Sequence, residues 1–205
     1  MSQRRDQIGV QLEFALPNWV LEFVGEREAA FSTVEGRMGV VVGAARENVR
    51  RGTGGPFGAA VFDSDGKLIS LGVNIVETSN CSVLHAEIVA IALAQKALSR
   101  YDLSDGGKED YELVTSTEPC AMCFGAVPWS GVTRLVCGAR DENARSIGFD
   151  EGPKLANWVE ALEKRGITVV RDVLREEAAA VLREYAEAGG TIYNAGVGRV
   201  RSIRV

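Results

Sequence analysis

The sequence predicts an α/β layer fold, and three observations carry the reading. Short apolar runs alternate with longer stretches of helical period along most of the chain. Asp63-Ser64-Asp65-Gly66-Lys67 has the composition of a hairpin turn between two apolar runs. Two stretches rich in chemistry, around His85 and Cys120, each open a helix just after a strand, which places both on one edge of a sheet.

In chain order, residues 1–35 carry weak signals. Pro17 and Gly25 interrupt two short apolar runs, with Trp19 and Phe23 expected to pack on the domain surface. Glu35 to Arg51 reads as the first helix: Val40, Val41, Ala44 and Val49 give it an apolar face, and Gly52 stops it. Gly54-Gly55-Pro56-Phe57 leads into a buried strand, Gly58 to Phe62, and the hairpin returns as Leu68 to Val76. A loop, Glu77 to Val83, delivers the chain to His85 and a helix ending near Ser99. Tyr111 to Thr115 is the third strand, Arg134 to Gly138 the fourth. Residues 140–152 read as polar and irregular. Leu155 to Arg165 is expected as a helix, Ile167 to Val170 as a fifth strand, and Arg175 to Ala188 as an amphipathic helix ended by Gly189-Gly190. The three arginines of the end, Arg199, Arg201 and Arg204, read as a solvated terminus.

The chemistry lies in Leu84-His85-Ala86-Glu87 and Glu118-Pro119-Cys120-Ala121-Met122-Cys123. His85 is the only histidine in the chain. One imidazole and two thiolates with a fourth position open suit a catalytic zinc rather than a structural one. The open position takes a water, and the metal lowers its pKa to about 7. Glu87, two residues after His85, can reach that water without ligating the metal. Pro119 suits the first position of its helix. Cys120 and Cys123, three apart, share a helix face whose N-terminal dipole stabilises thiolates. Alone, a CxxC is as readily a redox pair, and an HxE is noise. Together they make the H-x-E…P-C-x-x-C signature of zinc deaminases.

Composition narrows the setting. Hydrophobic residues make 46% of 205 residues and charged ones 25%, as in globular proteins. A net charge of −5 and a pI near 5.1 count against a nucleic-acid partner. No secretory leader and no apolar run of membrane-spanning length is visible, so the expectation is a cytoplasmic protein with no membrane partner. Four cysteines do not make a disulfide framework. Cys137 reads as a buried strand residue. Cys81 reads as pocket wall or loop, since a fourth thiolate would displace the catalytic water.

From about Arg37 to Tyr193 the chain resembles the cytidine deaminase superfamily, and within it the bacterial guanine deaminases. The resemblance rests on Gly54-Gly55-Pro56-Phe57, Asn74, His85-Ala86-Glu87, Thr117 to Cys123, Gly125-Ala126, Trp129 and Ile147-Gly148-Phe149-Asp150-Glu151. It implies a three-layer α/β/α fold with a mixed five-stranded central sheet. It also implies one zinc per chain on His85, Cys120 and Cys123, with Glu87 shuttling protons. Asn74 and the Ala86 N–H would contact a purine, Phe57 and Trp129 would pack on its ring, and Tyr193, on the C-terminal segment, would reach the site of a dimer partner. Such proteins are similar in being homodimers, and in some the C-terminal segment closes over the partner's site. Three segments are expected: an N-terminal extension (1–35), a deaminase core (36–175), and a C-terminal helix and tail (176–205).

Guanine is attacked at C2, beside an edge rich in donors, so the pocket should present an acceptor. Asp150 and Glu151 are the candidates, with Glu151 favoured as the second carboxylate. Aminotriazines share that amidine edge. The competing expectations are a tRNA adenosine deaminase, a free cytosine deaminase and a non-catalytic zinc domain. The last has no use for Glu87.

Overall fold

The computed structural model of the protein describes residues 9, 12–27 and 31–194. The expected basic end at Arg199, Arg201 and Arg204 lies outside them. The elements run α1 (Trp19–Gly25), α2 (Val34–Arg50), β1 (Gly58–Asp63), β2 (Leu68–Val73), α3 (Ala86–Leu98), β3 (Tyr111–Thr117), α4 (Ala121–Ser130), β4 (Arg134–Ala139), α5 (Asp141–Ser146), α6 (Trp158–Glu163), β5 (Thr168–Val170) and α7 (Arg175–Glu187).

The five strands form one mixed sheet in the order β2-β1-β3-β4-β5. β1 is antiparallel to both β2 and β3, while β3, β4 and β5 are parallel. Strand residues alternate between two cores, as the two-residue period requires. Ala60, Phe62, Val114 and Val136 pack with α2 and α7. Ala59, Val61, Leu113, Leu135 and Cys137 pack with α3, α4 and α6. This is the three-layer arrangement that the resemblance implies.

Strand direction, more than layering, decides where the functional residues gather. Because β1 runs against its neighbours, its start lies at the same edge as the ends of β2, β3 and β4. Phe57, Asn74, Cys120 and the chain after Ala139 are thereby delivered to one edge. α3 lies unusually close over β2. A Cβ on Gly72 would stand 2.4 Å from the Ala86 carbonyl oxygen and 2.6 Å from the Ala90 nitrogen. Glycine is therefore what lets the helix that follows His85 sit at this height above the sheet.

Several expectations need correction. α4 begins at Ala121 with Cys120 as its cap, in extended conformation (φ −63°, ψ 174°), so Pro119 precedes the helix rather than opening it. The stretch 140–152 contains α5, because Asn143 bonds back to the Arg140 amide and acidic residues fill the first turn. α1 is a helix inside the extension, and Trp19 and Phe23 are buried members of the core shared with α2 and α7. α6 is shorter than expected, and β2 ends at Val73. Cys137 is fully buried, as expected, and its thiol is pushed far up by that burial.

Candidate active site

His85 caps α3 in extended conformation, and its carbonyl accepts the Val89 amide at 2.9 Å. Its side chain makes no capping bond. It faces Cys120 instead, with Nδ1 3.5 Å from Sγ. Cys123 sits one turn into α4, and the three ligand atoms lie within 4.8 Å of one another. Tetrahedral zinc holds nitrogen and sulfur donors at roughly 2.1 and 2.3 Å, which sets them about 3.5 Å apart. The donor set therefore fits zinc in type and spacing. The Cys120 thiol is drawn down to about 4, first by its hydrogen bond with Cys123 and then by His85. A thiol held as thiolate is what a metal ligand must be. Burial alone would lower His85, but Cys120 and Glu87 outweigh it and raise its pKa.

Glu87 lies in the first turn of α3, 6% exposed. Burial, then the neighbouring Cys120, pushes its carboxyl up to about 7.

A cavity of about 190 Å³ opens onto these groups, lined by Phe57, Ser82, His85, Phe149, Asp150, Glu151, Tyr193 and Asn194. It is small beside the roughly 300–1,000 Å³ of drug-sized pockets, so it suits a single flat ring system. A larger cleft of about 460 Å³ lies at the opposite end of the sheet. There Arg37 and Arg134 both pair with the buried Glu112 and are spent on it.

The structure separates the two candidate carboxylates. Glu151 is 6% exposed, and burial, then the charges of Cys120 and Glu87, push it up to about 8. Asp150 is exposed, and its carboxylate accepts the Gly152 amide at 2.9 Å in a local turn. Asn74 is fully buried, and its Nδ2 donates to the Tyr193 hydroxyl at 2.7 Å. Tyr193 thus reaches the pocket of its own chain, where the resemblance implied a partner's, and burial raises its pKa. Ala86 is the first residue of α3 and fully buried. Phe57 meets Phe149 edge to face at 5.1 Å. Trp129 stands apart: it is 80% exposed on the last turn of α4 and does not line the cavity.

Phe149, Ser82 and Asn194 complete the lining without having been singled out as site residues. Phe149 lies inside a stretch that carries the resemblance. Asn194 is bound to the same loop, donating to Gly148 O at 2.7 Å and accepting from the Asp150 amide at 2.9 Å. Nothing local in the sequence marks Ser82 or Asn194.

Residues 32–139 match the cytidine and deoxycytidylate deaminase zinc-binding region, just over half of the chain. The chain belongs to this family. That region contains His85, Glu87, Cys120 and Cys123, so zinc is the metal its donor set serves. Among curated relatives, a guanine deaminase of Bacillus subtilis is 43% identical over 107 residues, 52% of this chain and 65% of the relative. A tRNA-specific adenosine deaminase of Rickettsia bellii is 40% identical over 93 residues, 45% of this chain and 61% of the relative. The chain thus spans less than two thirds of either. Among solved structures, a guanine deaminase from Nitrosomonas europaea is 48% identical with a TM-score of 0.82. That likeness covers 88% of this chain and 99% of the other, so it carries the whole α/β/α architecture.

Among the described residues, no helix is long and apolar enough to cross a membrane.

Proposed function

We propose that this protein is a zinc-dependent aminohydrolase that converts guanine and water to xanthine and ammonia. The observation that carries the reading is Glu151, a second buried carboxyl lining the same small cavity as the zinc donor His85. Deamination of a ring already bearing an N1–H and an amine needs an oxygen facing that edge, and Glu151 supplies it. The likeness to guanine deaminases from two organisms supports the same substrate.

When bound, zinc supplies Lewis acidity that makes hydroxide available near neutral pH. The chain's own groups do the rest. Glu87 takes the proton released and hands it to the ring nitrogen beside the attacked carbon. Glu151 accepts from the amidine edge and, with its carboxyl raised to about 8, can carry a proton to the departing amine. Asn74 and the Ala86 amide hold the purine, with Phe57 and Tyr193 against its ring. Aminotriazines, which present the same edge, are candidate secondary substrates.

The test is a panel of guanine, adenine, cytosine, aminotriazines and tRNA, assayed for ammonia and inosine. Guanine turnover is expected, with adenine rejected by about 10⁴-fold because unmatched polar groups would be left in the pocket. An inactive, folded, zinc-loaded protein on guanine would falsify the reading. The adenosine deaminase reading has the Rickettsia relative in its favour. Against it stand the acidic pI near 5.1 and a cavity capped by Tyr193 and Phe149.

The same reading extends to a cytoplasmic homodimer. Met122 and Trp129 are exposed, seven residues apart on one face of α4, and a second copy would cover them. Light scattering on the purified protein distinguishes dimer from monomer.

A further inference from the structure

Lys154 places an ammonium where ammoniums are seldom found. Its side chain is only 5% exposed, and buried lysines occur almost only when paired. Nζ donates to the main-chain oxygen of Pro119 at 3.1 Å. It also lies 3.1 Å from Asp141 Oδ2 and 3.9 Å from Glu118 Oε2, with the Trp158 ring 4.8 Å away.

The position of these partners gives the contact its meaning. Pro119 immediately precedes the zinc donor Cys120, and Lys154 comes three residues after Glu151. A second bond crosses the same gap, since the Ala121 amide donates to the Glu151 carbonyl at 2.8 Å. The start of the cysteine helix and the segment bearing Glu151 are thus stitched together at Glu151 itself and again three residues later. Lys154 is not the sole cation at these carboxylates. Glu118 is engaged by Arg171, with Nε 2.6 Å from Oε1, and Asp141 by Arg145 at 3.2 Å. Beyond its share in pairing Asp141, what Lys154 adds is the bond to the Pro119 carbonyl.

We propose that Lys154 is a positioning residue, whose ammonium clamps residues 151–154 onto the Pro119 carbonyl and so fixes the Glu151 carboxylate relative to the zinc donors. This rests on the assignment of Glu151 as the second carboxylate. Catalytic groups must be held to within about 0.5 Å, and a segment without regular structure does not achieve that by itself. Glu151 to Lys154 is such a segment, lying between α5 and α6.

The test compares wild type, Lys154→Met, Glu151→Gln and the double variant, all zinc-loaded. Methionine keeps the apolar stem and removes the ammonium. The readouts are zinc content, kcat and KM for guanine, and hydrogen exchange at the Ala121 amide. Lys154→Met is expected to fold, hold zinc and exchange Ala121 faster. Its kcat should fall about 10- to 100-fold, the scale of a misplaced catalytic group. The double variant should be no slower than Glu151→Gln alone, because Lys154 acts through Glu151. Lys154→Arg, which keeps donors and charge, should recover most of kcat. An unchanged kcat in folded Lys154→Met, losses that multiply in the double variant, or an arginine variant as slow as the methionine one overturns the proposal. If Lys154→Met does not fold, Lys154→Gln carries the same comparison with the same outcomes. A fully active Glu151→Gln is a different failure: it removes Glu151 from the mechanism, and the proposal goes with it.

Discussion

Asn48 and Asn74 are joined side chain to main chain. Asn48, fully buried on α2, donates from Nδ2 to the Asn74 carbonyl at 2.8 Å and to the Gly55 carbonyl at 2.9 Å. Its own Oδ1 accepts the Thr53 hydroxyl at 2.7 Å. One amide thus fastens the glycine turn before β1 to the residue after β2, and both segments border the pocket. Asn48→Ala strands the buried Asn74 carbonyl, at about 1–3 kcal/mol, while the Gly55 carbonyl keeps the Phe57 amide at 2.9 Å. A clearly lower melting temperature and a raised KM for guanine are expected. A variant with wild-type values of both would show that Asn74 is held in place by something else.

Glu87→Gln should leave the zinc donors untouched and remove the proton shuttle. Metal analysis should find wild-type zinc, while ammonia release falls by about 10²–10⁴-fold, the usual worth of a positioned acid–base. Retained turnover would take Glu87 out of proton transfer.

Burial predicts which member of the acidic pair matters. Glu151→Gln should abolish most activity on guanine. Asp150→Asn should not, because Asp150 is exposed and its carboxylate closes a local turn. Steady-state rates for the two variants decide the assignment, and the reverse order would exchange their roles.

Stripping zinc with a chelator should abolish turnover and lower the melting temperature. Restoring zinc should reverse both. Metal at 1,000 times its dissociation constant stabilises the folded state by about 4 kcal/mol. A melting curve indifferent to metal would argue against a site that spans two helices.

Two ion pairs near α5 should behave differently. Glu118 is buried, pairs with Arg171 and accepts the Asp141 amide, so Glu118→Ala removes both contacts and should cost about 1–3 kcal/mol. Arg140 pairs with Asp172 at the surface, and Arg140→Ala should be hard to distinguish from wild type in denaturant unfolding. Arg140 holds the Asp172 carboxyl below its usual range. Any contribution it makes is present above about pH 4 and lost as the pH falls through the lowered value.

The zinc donors and Glu87 were legible in the sequence because their geometry is local. A helix start fixes where residues two or three apart will point, and the motif names the residue types. The one-edge arrangement followed from the two helices that each open just after a strand, whereas the strand order β2-β1-β3-β4-β5 depends on pairings distant in the chain. Asn48 and Lys154 were not legible, since their partners lie 26 and 35 residues away and neither position has a distinctive neighbourhood. α5 was missed because Asp-Glu-Asn-Ala-Arg-Ser offers almost no apolar periodicity, and its stability comes from end bonds and charge. Trp129 shows the opposite limit: a residue conspicuous in the sequence stands in solvent in the single chain.

The crowding at Gly72 carries a consequence for how this chain tolerates change. In a saturation library, position 72 should accept nothing larger than hydrogen, since any substituent must lever α3 off the sheet and drag the imidazole of His85 with it. Gly25, where an added methyl would meet nothing within 4 Å, should accept many. Selection for folding and selection for metal binding would then leave the same blank column at 72, a position that itself offers the ion no ligand.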